Sequence, residues 1–140
     1  MNTYLLDTNT VSYFLRGMYA GLSARMQTAM NARQVVISSI TRAEIRFGQQ
    51  RMTSADKRRA LIDLLLLELP VQPWGEPAAD CYGLLKQQLL SIGRPIAELD
   101  TLIAAQALSQ GQILVTHNLR HFEGIAGLQL EDWVPLSSNT

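Results

Sequence analysis

Short apolar runs alternate along this chain with stretches of helical spacing, and that alternation restricts the fold more than any other feature. Residues 3–7 and 34–38 are β-rich and apolar, as in strands covered on both faces, and Ile113-Leu114-Val115-Thr116 forms a third such run. Between the first two, Val11, Phe14 and Leu15, then Leu22, Met26 and Met30, recur at helical spacing, with Gly17 and Gly21 as punctuation. The pattern predicts helices over about Ile40–Gln50, stopping near Gly48, and from an N-cap at Ser54 to the stop at Pro70. Two more are predicted over about Pro77–Ser91 and Asp100–Gln110, the latter ended by Gly111. Val71-Gln72-Pro73-Trp74 reads as a short strand whose proline suits an edge, and Leu128-Gln129-Leu130 as a short last one. Strands alternating with helices argue for an α/β fold with a parallel sheet. At 140 residues the chain is one domain, assigned to 1–134, with 135–140 as a short tail.

Acidic side chains sit beside these apolar segments. Asp7 closes the first run, Glu44 follows Val35–Ser39, and Asp100 precedes Leu102-Ile103-Ala104-Ala105. Carboxylates are seldom placed next to core-forming segments unless they are paired or hold a cation. Each has a local alternative. Asp7 and Asp100 are good helix N-caps, and Thr41-Arg42-Ala43-Glu44 matches a capping box unless Ser39 caps instead. In parallel sheets, however, ligands bind beyond the carboxyl ends of the strands, where βα loops bring such residues to one rim. Asn118 follows the third run and offers an amide oxygen, while Asn9 and Thr116 are candidates to orient the acids from behind.

Convergent oxygen donors without thiolates suit Mg²⁺ or Mn²⁺, and such ions support phosphodiester hydrolysis. His117 and His121 stand four apart, but no third nitrogen or sulfur ligand accompanies them for zinc. Asp7-Thr8-Asn9-Thr10 faintly echoes an aspartyl-phosphate phosphatase loop, with Asn9 where that loop has a second Asp. Charge is balanced, with 12 basic and 12 acidic residues, so net charge neither proposes nor excludes a nucleic-acid partner. Basic residues nevertheless cluster over 42–59, and Arg42 and Arg46, one helical turn apart, are candidates to grip a phosphate backbone. Cys81 is the only cysteine, no signal peptide is expected, and Leu64–Leu67 is far too short an apolar run to span a bilayer. The expected compartment is the cytoplasm, away from membranes.

Leu5-Leu6-Asp7-Thr8-Asn9, Ser38–Glu44, Asp100–Ala105 and Leu114–Asn118, with Glu131-Asp132-Trp133 near the end, stand in the order found in PIN-domain ribonucleases. The chain resembles most closely the VapC toxins of type II toxin–antitoxin systems, over Thr3–Trp133. The resemblance implies an α/β/α sandwich around a parallel sheet of four to five strands. It also implies a Mg²⁺- or Mn²⁺-dependent endoribonuclease acting on RNA, often a tRNA. Asp7, Glu44 and Asp100 carry over as metal-binding acids, and Asn118 takes the fourth catalytic position, where Asp is frequent. A homodimer and a cognate VapB-type antitoxin are implied as partners, with Tyr13, Phe14, Phe47 and Leu64–Leu67 as candidate contacts. A binding module that keeps the fold without activity is the non-enzymatic alternative.

Overall fold

The computed structural model describes residues 2–135, so the tail beyond Pro135 lies outside the described residues. Five strands, β1 (Tyr4–Leu6), β2 (Val35–Ser38), β3 (Val71–Gln72), β4 (Ile113–Val115) and β5 (Gln129–Glu131), form one sheet in the order β3-β2-β1-β4-β5. All pairings are parallel. Helices α1 (Thr8–Arg16), α2 (Ala20–Asn31), α3 (Ser39–Gln50) and α4 (Arg58–Glu68) precede β3. Helices α5 (Glu76–Ser91) and α6 (Glu98–Gln110) connect β3 to β4, and α7 (Leu119–Phe122) precedes β5.

The side-chain period of two divides each strand between two cores. Tyr4, Leu6, Val35, Ile37, Ile113 and Val115 face a layer containing Val11, Leu22, Met26, Ile62 and Leu66. Leu5 and Leu114 face the opposite layer, with Leu85 and Leu89 of α5, Ile103 and Ala104 of α6, and Phe122. Leu5, Leu6 and Leu114 are wholly buried, and each stabilises the fold by about 1.5–3 kcal/mol through removal of its apolar surface from water. The predicted three layers therefore follow directly from the continuous apolar runs.

The connection from β3 to β4 crosses from one flank of β1 to the other, so the strand order reverses between β1 and β4. That places the crevice beyond their carboxyl ends at a topological switch point. Asp7 follows β1 and Thr116-His117-Asn118 follows β4, so both open onto it.

Several expected boundaries moved. Ser54 does not cap α4; the helix begins at Arg58, whose N–H is held by Asp56 Oδ1 at 2.9 Å. Gly48 lies inside α3, which continues to Gln50 because tertiary packing overrides the modest helical penalty of glycine. Gly21 lies inside α2 rather than in a loop, and the Pro135 ring occupies the space its missing Cβ would take. Gly111 behaves as expected, closing α6 in the left-handed region at φ 63°. The short helix α7 carries too brief a pattern to be read from periodicity.

Candidate active site

Asp7 leaves β1 with its backbone N–H bonded to Val115 O at 3.1 Å, which extends the β1–β4 ladder by one residue and fixes the carboxylate at the rim. Its Oδ1 accepts from Thr10 N at 2.8 Å, so the N-cap role is real and is filled by a single oxygen. Asp7 as a whole is 8% exposed. Burial pushes its pKa above the usual carboxylate range, the Thr116 hydroxyl and Thr10 pull it back, and the Asp100 charge raises it further. Two acids more than ninety residues apart in sequence thus interact electrostatically across the switch point.

Asp100 lies in the first turn of α6, whose N-cap is Ala97. The capping explanation therefore fails for Asp100, and its carboxylate instead meets His121 Nδ1 at 3.3 Å. Glu44 is likewise not part of a capping box. Ser38, not Ser39 or Thr41, caps α3 through Oγ and Ile40 N at 3.0 Å. Glu44 sits in the middle of that helix, and its Oε1 accepts from Thr8 Oγ1 at 2.5 Å. Thr8 Oγ1 also lies 3.3 Å from Thr41 Oγ1. Thr8 carries no recognisable motif beyond its place after Asp7, and sequence reasoning missed it.

Asn118 is exposed, and with Asp7, Asn9, Tyr13 and His117 it lines an open recess of about 250 Å³. Thr116 is fully buried, and its Oγ1 accepts from Asn118 N at 3.1 Å, so it touches both Asp7 and the turn that carries Asn118. Asn9 shares the recess. His117 Nδ1 pairs with Asp132 Oδ2 at 2.9 Å, whereas His121 pairs with Asp100. The two histidines therefore serve different acids. Asp132, named in the sequence only as part of Glu131-Asp132-Trp133 near the end, reaches His117 because it directly follows β5.

The predicted RNA-gripping arginines are bound within the protein. Arg42 donates to Leu66 O at 3.3 Å, and Arg46 donates to Asp63 Oδ1 at 2.6 Å and Gln49 Oε1 at 2.9 Å. Both fasten α3 to α4.

Among the described residues, no three His, Cys, Asp or Glu side chains gather into a ready metal cage. The donors at the rim still suit a hard cation. Mg²⁺ commonly takes one or two carboxylates and keeps several waters. Asp7 and Asp100 supply such a pair, and the Asp100 charge disfavours ionisation of Asp7. Glu44, directed at Thr8, could join through water.

Residues 4–128 match the family described as PIN domain. The chain is 36% identical to Ribonuclease VapC2 of Haemophilus influenzae over 134 residues, covering 96% of this chain and all of that one. It is 32% identical to the tRNA(fMet)-specific endonuclease VapC of Shigella flexneri, covering 95% and 99% respectively. Among solved structures, DNA-bound VapBC from Salmonella typhimurium superposes with a TM-score of 0.86 at 31% identity, covering 95% of this chain and 99% of that one. VapBC2 from Rickettsia felis, bound to a promoter DNA fragment, gives 0.86 at 27%, covering 94% and 98%.

Proposed function

The chain belongs to the PIN-domain family, among its VapC ribonucleases, and on that premise we propose that it is the toxin of a type II toxin–antitoxin pair. Its activity is Mg²⁺- or Mn²⁺-dependent endonucleolytic cleavage of RNA, with a tRNA as substrate and arrest of translation as the result. The observation that carries this reading is the buried Asp7 carboxylate, raised in pKa by burial and by Asp100 at the β1–β4 switch point. A buried carboxylate with a second acid acting on it is suited to a hard divalent ion.

Asp7 and Asp100 would hold the ion, Glu44 would contribute through water, and Asn118 would position water from the edge of the recess. The ion supplies polarisation of the scissile phosphate and activation of water. Thr116 and Thr10 restrain Asp7, while Asn9 lies beside it in the recess. His121 orients Asp100. Arg42 and Arg46 have a lesser share in RNA binding, through long-range attraction, because their donors already serve α4.

The proposed partner is a VapB-type antitoxin. Phe47 is 65% exposed, Leu64 60% and Leu67 84%, an apolar display on α3 and α4 that suits a protein partner. Tyr13 and Phe14 are packed partly into the core and offer less. A homodimer in the cytoplasm completes the reading; among the described residues, no helix is long and apolar enough to cross a membrane.

Purified protein incubated with total tRNA and Mg²⁺ or Mn²⁺ is expected to give discrete cleavage products, absent with EDTA and absent for Asp7→Asn. Mapping the new RNA ends identifies the bond. Cutting at the wild-type rate by Asp7→Asn would remove the assignment.

A further inference from the structure

The cations of this chain divide into those with internal partners and those without. Arg25 pairs with Glu131 and stacks on Trp133, Arg58 pairs with Asp56, and Lys86 pairs with Glu98. Arg59 donates to the carbonyls of Gln49 and Met52. With Arg42 and Arg46 fastened to α4, most of the basic stretch over 42–59 is occupied within the fold.

Arg16, Arg33, Arg51, Lys57, Arg94 and Arg120 make neither an ion pair nor a side-chain hydrogen bond among the described residues. Arg16 and Arg51 share their recess with Glu44 and Asp56, and Arg33 shares its own with Glu68. Arg94 and Arg120 instead line one open recess of about 320 Å³ together with His121. No carboxylate lines that recess. Arg94 stands in the turn between α5 and α6, and Arg120 and His121 stand on α7, so the recess opens beside the amino end of α6. His121 joins it directly to the acid pair through Asp100 Oδ2. Gly124 completes the shape: a Cβ there would lie 3.1 Å from an Arg94 terminal nitrogen, so the guanidinium rests over glycine backbone.

We propose that Arg94 and Arg120, with His121, form a subsite for an RNA backbone phosphate next to the scissile one, on the Asp100 side of the centre. The proposal rests on the ribonuclease reading above. Two guanidinium forks without acid partners match phosphate oxygens in geometry and charge. A neutral or cationic ligand would leave both charges unbalanced. In a chain of zero net charge, two such cations in a recess without acids concentrate positive potential beside the centre, which favours a polyanion there.

The test uses full-length Asp7→Asn protein and a fluorescein-labelled single-stranded RNA, with affinity followed by anisotropy over a range of salt. Arg94→Ala and Arg120→Ala are each expected to weaken binding roughly tenfold, as for loss of a charge-assisted hydrogen bond. The slope of log Kd against log salt should shrink by about 0.7 for each lost phosphate contact. Gly124→Val keeps both charges but displaces the Arg94 guanidinium, and it should weaken binding as well. Lys57→Ala removes the same charge at an exposed site outside the recess and should leave the affinity within twofold.

Equal losses for Lys57→Ala and the arginine variants would overturn the subsite in favour of diffuse attraction. Retained RNA affinity with loss of binding to polyglutamate would make the recess a protein-docking site instead. If Asp7→Asn binds RNA and the arginine variants bind equally well, the subsite fails while the ribonuclease reading stands. If wild-type protein neither cleaves nor binds RNA, both fall.

Discussion

Thr8 Oγ1 donates to Glu44 Oε1 over 2.5 Å, tying the first turn of α1, one residue past Asp7, to the middle of α3. One hydroxyl thus decides which way a candidate metal-binding carboxylate points. Thr8→Val should free Glu44 and cost about 1.5–3 kcal/mol of stability, the range for a hydrogen bond to a charged group. Thr8→Ser should restore most of it. Denaturant midpoints of the three proteins check this, and equal midpoints for wild type and Thr8→Val would show that the bond contributes nothing.

Asp7 carries a pH dependence of definite sign. Its folded pKa lies above the unfolded value, so the folded state binds protons more tightly and the charged form is destabilising. Stability attributable to Asp7 is greatest below the unfolded pKa and falls as pH rises through the folded pKa. Asp7→Asn keeps an oxygen for the Thr10 N–H, so it should melt at a higher temperature than wild type at pH 7 in EDTA. A lower melting temperature would contradict this.

Adding Mg²⁺ or Mn²⁺ should raise the melting temperature of wild-type protein in proportion to the logarithm of free ion, since only the folded state gathers Asp7 and Asp100. Asp7→Asn should show little of that rise. Identical ion dependence in both proteins would place the binding elsewhere.

Asn118 lines the Asp7 recess without contributing a charge. Asn118→Asp should tighten Mn²⁺ binding in calorimetry, because added carboxylate charge strengthens hard-cation sites. It should also lower ion-free stability at neutral pH by adding a like charge near Asp7. Unchanged Mn²⁺ affinity would exclude Asn118 from the site.

Gly111 ends α6 at φ 63°, a conformation disfavoured for residues with a Cβ. Gly111→Ala should destabilise the protein by about 1 kcal/mol with no loss of RNA affinity. A neutral result in chemical denaturation would show that the cap can relax.

Much of the fold was legible because its cause is local. Leu5-Leu6 and Leu114-Val115 are apolar at consecutive positions, which only a strand covered on both faces requires, and Gly111 marks a helix end. Boundaries set by distant partners were not legible. Gly21 reads as a loop until Pro135 is seen to lie against it, and Ser54 reads as a cap until Asp56 is seen bonded to Arg58.

For the site, the sequence by itself determined the candidates, Asp7, Glu44, Asp100 and Asn118, each beside an apolar segment in a βα arrangement, and with them the family. Residue type and spacing are enough for that, because chain direction sends successive strand ends to one rim. Only the tertiary structure decided how those residues are used. The crossover from β3 to β4 sets Asp100 where its charge raises Asp7, Thr8 turns Glu44 aside, and α4 takes up Arg42 and Arg46. It also leaves Arg94 and Arg120 without partners beside His121. Partnership between charges depends on distances across the fold, and a linear pattern does not contain them.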